Sequence, residues 1–387
     1  MTHRTLLPLL ILSLPAYADH DDEGVCETDA GTALFAEMPD AGAGTQPTGP
    51  TYPEGVGVVD DRVIVSGPAT FGTAGNDSPS QLTVFDRETG ALVGEIAVVG
   101  EDTDQEHALS ELATYKQAAY APSTQLGLLR WDFKHSDHPS QEQVSTPFCS
   151  VTGGFPCAAS TTACPADLRP GLPPLPNGVT VDKDGTAYVT DSLQGVIWKV
   201  NTRGTLPATP QVLACSPLLQ GVGPDGLSLF GANGVAVVGQ SLYVSVTFGP
   251  LDGLGLPTSS IYQVNKSTGA LSLIYSYTAE EVAPGIYVPP IADGLRYNED
   301  TDTLFVVLGG LGAVSELVLD GADTTEVARI TRTDPDHPFV NPSTIAFDED
   351  GVGYVSNHAI TCTLNGAPGS SCTNAEELFG VISVCVE

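Results

Sequence analysis

Short apolar segments separated by turn residues recur along the chain in a constant order. In the clearest copy, Val179 and Val181 alternate with polar residues, an Asp184-Gly185 turn follows, and a second alternating segment begins at Thr186. Alternation with a period of two predicts a half-buried strand, and Asp-Gly supplies the positive φ angles of a tight hairpin. No amphipathic helix separates the segments. We therefore expect an all-β chain and not a parallel α/β fold.

The hairpin pattern can be counted six times, and each copy starts with a polar residue just before an apolar strand. The copies begin at Glu54, His107, Asn177, Asn233, Asp293 and Ser343. Subtracting successive numbers gives spacings of 53, 70, 56, 60 and 50 residues. Four short strands at such a period are typical of a β-propeller. The prediction is a six-bladed β-propeller with four-stranded blades.

The second copy is the weakest of the six. We place its first strand at 107–112, which puts His107 at the start of that strand, and its next strands at 117–120 and 128–131. The spacing of 70 residues that follows contains a segment rich in Cys, Pro and Gly at about 148–174. We interpret that segment as an insertion stapled by disulfides.

The sixth copy reaches the end of the chain after three strands. A propeller that does not close its ring leaves an exposed strand edge, so we expect residues 32–36 to supply the missing fourth strand. Cys26 and Cys385 would then lie near each other and could form a disulfide, although either could pair elsewhere. Cys362 and Cys372 are a plausible local pair, and eight cysteines leave the pairing open.

The first 18 residues resemble a secretory signal peptide. Arg4 precedes an apolar run, and Ala16-Tyr17-Ala18 matches a cleavage site. The run is too short for a membrane span, so we expect a secreted, extracellular protein with no membrane partner and one domain at 19–387. A signal peptide also favours disulfides over thiol chemistry. The sequons at Asn76 and Asn265 are then candidate glycosylation sites.

The charge is strongly acidic, with 14 Lys and Arg residues against 47 Asp and Glu residues and a formal net charge of −33. An acidic protein is repelled by the phosphate backbone, so we expect no nucleic-acid partner. A solvated acidic surface explains most of this charge. A few carboxylates remain as candidates for a cation site.

The first strand of each propeller blade lines the central channel, so the six starting residues should converge on its axis. Glu54 and Asp293 supply two negative charges, and Asn177 and Asn233 supply neutral oxygens, a mixture that suits Ca²⁺. Two carboxylates without a cation would repel each other and raise a pKa. The alternative is that each Asn-Gly or Asp-Gly pair is only a turn. That alternative is weaker for the whole set, because a separate turn follows each strand.

These motifs resemble the regucalcin and gluconolactonase family of six-bladed calcium propellers, and beyond it the diisopropyl fluorophosphatases and serum paraoxonases. The matching motifs are Pro53-Glu54-Gly55, Pro176-Asn177-Gly178-Val179, Ala232-Asn233-Gly234-Val235, Ala292-Asp293-Gly294-Leu295 and Thr190-Asp191-Ser192-Leu193-Gln194-Gly195. The resemblance implies that Glu54, Asn177, Asn233 and Asp293 bind a catalytic calcium. It also implies that Asp293 is the preferred base.

His107-Ala108-Leu109-Ser110 resembles the paraoxonase segment that carries a catalytic histidine. That family pairs this residue with a second histidine after the next strand, where this chain has Tyr120-Ala121-Pro122. His107 is therefore the second candidate base, and lining the channel is its alternative role. His358 and Ser343 are candidate substrate contacts at the channel.

Together these features predict a monomeric, calcium-dependent hydrolase that acts on a small-molecule lactone or related ester. A first alternative is a non-catalytic propeller that binds a ligand or a protein. A second is a condensing enzyme similar to the strictosidine synthases, which share the six blades without the catalytic calcium and use a glutamate in the last blade, where this chain has Ser343.

Overall fold

The computed structural model describes the strand framework of the chain and part of its connections. The described residues are 32–38, 53–68, 78–148, 173–222, 230–331, 339, 341–357 and 380–385. Within them, six four-stranded antiparallel sheets and one short two-stranded hairpin account for every strand.

The first three sheets follow the chain in order, each strand pairing with the next. Strand β1, Thr32–Glu37, precedes them and belongs to the last sheet. Blade one holds β2 to β5, at Val56–Val59, Arg62–Gly67, Gln81–Asp86 and Leu92–Ala97. Blade two holds β6 to β9, at Ala113–Tyr115, Ala118–Ser123, Gly127–Asp132 and Gln141–Gln143. Blade three holds β10 to β13, at Pro176–Val181, Thr186–Asp191, Val196–Asn201 and Gln211–Cys215.

The remaining blades repeat this arrangement. Blade four holds β14 to β17, at Ala232–Val238, Ser241–Val246, Ser259–Asn265 and Leu271–Tyr277. The extra hairpin follows as β18 and β19, at Glu280–Ala283 and Ile286–Val288. Blade five holds β20 to β23, at Ala292–Asn298, Thr303–Leu308, Ala313–Val318 and Thr325–Thr331. Blade six holds β24 to β26, at Pro342–Phe347, Val352–Asn357 and Gly380–Cys385.

The ring closes through the N-terminal strand. β1 pairs antiparallel with β26, and Thr32 lies opposite Val384. The first strand of each blade also contacts that of the next blade, and β2 contacts β24. The predicted six-bladed propeller and its closure by residues 32–36 are therefore confirmed.

The core lies between the blades. Six hydrophobic clusters are buried, and each one takes its side chains from two neighbouring blades. Trp131 and Trp198 are fully buried in two of them. Because apolar burial is the main favourable term in folding, each blade depends on its neighbours for stability.

The predicted first strand of blade two is wrong. The structure starts that strand at Ala113, whereas we had placed it at 107–112. Ser110 N donates to Pro122 O, as Glu54 N donates to Ser66 O in blade one, so Ser110 holds the inner position that we had given to His107. The reason is that blade two has Glu111 where four of the other five blades have the glycine that marks the motif.

Several predicted features lie outside the described residues. These are the signal peptide at 1–18, the cysteines Cys26, Cys362 and Cys372, most of the insertion at 148–174, and the residues Asn76 and His358. Within the described part of the chain, no helix has the length and apolar character needed to cross a membrane.

Candidate functional site

The glycines of the repeated motif allow neighbouring inner strands to approach closely. A Cβ added to Gly234 would lie 2.5 Å from both Asp293 O and Leu295 N of the next blade, and one added to Gly178 would overlap the Asn233 carbonyl oxygen. Neither glycine has a positive φ angle. The Asn-Gly and Asp-Gly pairs are therefore close contacts between strands, and the interpretation of these pairs as turns is wrong.

A ring of hydroxyl groups fixes the residues at the inner positions. Four hydroxyls in the second strands donate to the backbone oxygen of the inner residue in the next blade. The donor–acceptor pairs are Ser66–Ser110, Thr190–Asn233, Ser245–Asp293 and Ser356–Glu54. Each of these bonds joins the start of an inner strand to the preceding blade. Their signal in the sequence is a Ser or Thr that follows two apolar residues in the second strand.

The two asparagines are oriented by hydroxyl groups. Asn177 Nδ2 donates to Ser192 Oγ at 3.1 Å, and Asn233 Nδ2 donates to Thr247 Oγ1 at 3.0 Å. The oxygen Asn177 Oδ1 is buried and has no hydrogen-bond partner among the described residues, and the residue is 8% exposed. A buried polar atom without a partner costs free energy, so this oxygen is available to a ligand.

Asp293 lies in an acidic environment. Burial raises its pKa well above the ordinary value, and the carboxylates of Glu54 and Glu111 raise it further, whereas a hydrogen bond from Asn233 lowers it. Asp293 nevertheless keeps part of its surface accessible, in contrast to Glu54 and Glu111. The structure thus brings Asp293, Glu54 and Asn233 together, as the repeat predicted.

Glu111 is a functional candidate that the sequence analysis missed. It is 3% exposed, its Oε2 accepts from Val179 N at 3.1 Å, and its Oε1 accepts from Thr344 Oγ1 at 3.1 Å. Burial raises the pKa of Glu111 to about 7, Arg296 and the two hydrogen bonds oppose the increase, and Glu54 adds to it. The signal in the sequence was a carboxylate at the position of the repeat glycine, hidden by the wrong register of blade two.

Arg296 is a buried cation that interacts electrostatically with Glu111. Its Nη2 donates to Leu112 O and its Nε donates to Ile345 O, both at 3.2 Å. Burial lowers the pKa of Arg296, and Glu111 raises it. A buried guanidinium that binds two carbonyl groups stays charged at physiological pH, so a fixed positive charge lies near Glu111.

A hard divalent cation fits the chemistry of this set of oxygens. Among the described residues, no three His, Cys, Asp or Glu side chains are arranged to hold a metal ion. The two carboxylates of Glu54 and Asp293 would therefore need the amide oxygens of Asn177 and Asn233, a mixture of donors that Ca²⁺ accepts. The buried oxygen of Asn177, which lacks a partner, supports that fit.

His107 and Ser343 make structural contacts that the sequence did not predict. His107 is buried in the β5–β6 connection, where Nδ1 lies 3.0 Å from Gln105 O and Nε2 lies 3.0 Å from Ser78 O. Ser343 Oγ donates to Glu54 O at 2.7 Å and so joins blade six to blade one. The placement of His107 at the inner position is therefore corrected. Its catalytic role and the substrate contact of Ser343 stay predictions.

Two further motifs have local structural roles. Asp191 accepts hydrogen bonds from three backbone amides, at Leu175, Leu193 and Gln194, and thereby fixes the turn between β11 and β12. Asn265 is exposed at the end of β16, and its Oδ1 accepts from Ser267 N at 2.9 Å. An exposed turn is a suitable position for the predicted glycan, which stays a prediction.

The face on which the inner strands begin carries exposed apolar side chains. The β15–β16 connection contributes Leu251 and Leu254, and the β18–β19 hairpin contributes Val282, Ile286 and Tyr287. Both segments connect strand ends on the side of Asn233 and Asp293. The face that gives access to the acidic site is therefore partly apolar.

Comparisons with known proteins support the fold alone. No protein-family model and no curated protein sequence matches the chain. A protein of unknown function from Bacteroides thetaiotaomicron is 12% identical, with a TM-score of 0.52, over 92% of this chain and 76% of that chain.

Two enzymes are similar at a lower score. The PQQ-bound aldose sugar dehydrogenase of Streptomyces coelicolor is 13% identical, with a TM-score of 0.49, over 93% of this chain and 99% of that one. A streptogramin B lyase is 11% identical, with a TM-score of 0.48, over 92% of this chain and 98% of that one. At such identity a likeness describes architecture and transfers no activity.

Proposed function

We propose that the chain is a secreted, calcium-dependent hydrolase that acts on a lactone or related ester at the face where the inner strands begin. The observation that carries this proposal is the environment of Asp293: a partly accessible carboxylate, hydrogen-bonded by Asn233 and surrounded by Glu54 and Glu111, with a raised pKa. Groups with strongly perturbed pKa values in a cleft are candidates for catalysis.

In this proposal Glu54, Asn177, Asn233 and Asp293 hold the cation. The hydroxyl ring fixes the backbone of Glu54, Asn233 and Asp293. The anchored Nδ2 groups of the two asparagines fix the direction of their oxygens. When bound, a divalent cation polarises a substrate carbonyl group. The chain itself supplies the orientation and the negative charge.

Asp293 is the proposed base that takes a proton from water. A general base works best when its pKa lies near the working pH, and the causes that raise the pKa of Asp293 move it in that direction. His107 is a poorer candidate than the sequence suggested, since both of its ring nitrogens face backbone carbonyl groups.

The resemblance of the inner-strand motifs to the regucalcin and gluconolactonase family supports the same proposal. Secretion rests on the signal-like residues 1–18, and glycosylation at Asn76 and Asn265 and a monomeric state follow as further proposals. The apolar side chains on the access face favour a substrate with an apolar part, because buried apolar area contributes to binding.

The direct test combines metal analysis with a panel of lactones, aryl esters and phosphotriesters, assayed with EDTA and with added Ca²⁺. We expect hydrolysis of at least one lactone or ester, loss of that activity in EDTA, and recovery with calcium. Asp293→Asn should lower the rate about 10²–10⁴-fold, the usual scale for a general base, and should keep more calcium than Asp293→Ala.

Glu299→Gln is the matched control, because Glu299 is an exposed carboxylate just beyond the other end of β20. It should keep full activity and full calcium content. Calcium binding without turnover on the whole panel would favour the non-catalytic binding propeller. A fully active Asp293→Asn enzyme would overturn the assignment of the base.

A further inference from the structure

The inner strand of blade five departs from the other inner strands at one position. Arg296 lies three residues after the inner residue Asp293. The residues at the same offset in the other five blades are Gly57, Ala113, Thr180, Ala236 and Ala346, all of them small. Three of these small residues, Ala113, Ala236 and Ala346, pack into the apolar clusters between blades. The long side chain of Arg296 instead carries a charge to the carbonyl groups of two other blades.

Arg296 reaches across the channel axis. Its Nη2 donates to Leu112 O of blade two, and blades two and five are opposite each other in a ring of six. Its Nε donates to Ile345 O of blade six. One guanidinium group therefore connects three blades beneath the inner residues.

Glu111 enters the same space from blade two. It replaces the repeat glycine there, and its Oε2 passes over Gly178, where an added Cβ would lie only 2.8 Å away. Its two oxygens bond to Val179 N of blade three and Thr344 Oγ1 of blade six. Arg296 bonds to Leu112, the residue after Glu111, so the two departures from the repeat lie close together and carry opposite charges, although no direct ion pair joins them.

The four charges can be added. Glu54, Glu111 and Asp293 contribute −3 and Arg296 contributes +1, which leaves −2 when all four are ionised. We propose that Arg296 is an internal counter-ion for Glu111, which leaves the oxygen site with the two negative charges that one divalent cation neutralises. The part of this inference that concerns the cation rests on the proposed function, whereas the pairing across the axis does not.

Physical reasons favour a paired arrangement. An isolated buried carboxylate has a large desolvation penalty, and a fixed guanidinium offsets part of that penalty. Without Arg296, three carboxylates would face one divalent cation and leave a net negative charge in a buried site. Without Glu111, the guanidinium would repel the cation at close range.

The test is a double-mutant cycle of Glu111→Gln, Arg296→Met and the double variant, with Ca²⁺ affinity measured by titration calorimetry. Glu111→Gln alone should weaken Ca²⁺ binding at least about tenfold, which corresponds to ~1.4 kcal/mol. The double variant restores the net charge of −2 and should recover most of the wild-type affinity. Glu101→Gln, which removes a carboxylate outside the inner strands, is the matched control and should leave the affinity unchanged.

The same cycle, measured as denaturant midpoints in EDTA, tests the pair without any cation. Arg296→Met should be less stable than the double variant, because it leaves Glu111 buried without its counter-charge. Arg296→Lys, which keeps the charge, should be closer to the wild type. It also keeps the inference testable if Arg296→Met does not fold.

The outcomes separate the two claims. A wild-type protein that binds no Ca²⁺ overturns the proposed function, and the EDTA cycle then still decides whether the pair exists. Additive losses of stability in that cycle overturn the pair. A wild type that binds Ca²⁺, together with a double variant that binds it more weakly than Glu111→Gln, overturns the role of Arg296 as a counter-ion.

Discussion

Blades two and three are neighbours built on the same repeat, yet they treat the start of the inner strand differently. Blade three has Asn177-Gly178. The Asn233 carbonyl oxygen of the next blade lies so close to Gly178 that it would be only 2.2 Å from an added Cβ. Blade two has Ser110-Glu111 at the same two positions, and the Glu111 side chain uses the space that Gly178 leaves open. The comparison shows that the repeat determines the backbone, whereas a departure from it adds a buried charge near the inner residues.

The largest expected effect comes from filling the space above Gly178. Gly178→Ala should lower the free energy of unfolding by about 3 kcal/mol or more, which is at or above the upper end of the usual cost of overpacking. The reason is that the new Cβ would overlap backbone atoms, and no side-chain rotation can relieve that overlap. Chemical denaturation measures this loss.

Gly253→Ala is the control for that substitution, because a Cβ at Gly253 meets nothing within 4 Å. We expect a change within about 0.5 kcal/mol, as for most surface substitutions. Equal losses in both variants would show that inter-blade contact is not the reason for the glycine.

The next effect concerns the pH dependence contributed by Glu111. Its pKa is about 7 in the folded protein against a reference value of 4.5, so the folded state binds the proton more tightly than the unfolded chain does. The stabilisation from that proton is fully present below pH 4.5 and is lost as the pH rises through 7. The difference is on the order of 3 kcal/mol.

Glu111→Gln should remove this dependence. In EDTA, the difference in unfolding free energy between the wild type and Glu111→Gln should change in favour of the wild type as the pH falls from 8 to 5. A difference that stays constant over this range would contradict the raised pKa of Glu111.

A smaller effect is expected in the hydroxyl ring. Ser245→Ala removes the 2.6 Å bond to Asp293 O and leaves a buried carbonyl group with one partner fewer, which costs about 1–2 kcal/mol. Blades two and five already have Pro122 and Val307 at this position, so the ring tolerates gaps. Thermal denaturation of Ser245→Ala beside the exposed variant Ser272→Ala measures the contribution, and equal melting temperatures would contradict it.

The smallest effect is expected at His107. His107→Asn should change the rate of hydrolysis by less than about tenfold, because the ring lies among backbone carbonyl groups and Ser110 holds the inner position. A loss of 10²–10⁴-fold with unchanged calcium content would instead identify His107 as the base. Steady-state kinetics on the active ester decide between the two.

The six-bladed architecture could be predicted from the amino-acid sequence alone. Period-two alternation and a repeat of 50 to 70 residues predicted six four-stranded blades, and the missing last strand predicted closure by residues 32–36, which the pairing of β1 with β26 confirms. Local patterns suffice here because each blade is a meander whose strands pair with their neighbours in the chain. The inner positions Glu54, Asn177, Asn233 and Asp293 followed from the same regularity.

The departures from the repeat became clear only in the folded structure. The register of blade two became visible only from the bond between Ser110 and Pro122, because the sequence there lacks the glycine that marks the motif. Glu111 and Arg296 come together from opposite blades, and no local pattern relates positions so far apart in the chain. The pKa values of these buried groups depend on the closed ring, because burial and neighbouring charges act on a group only when the blades surround it.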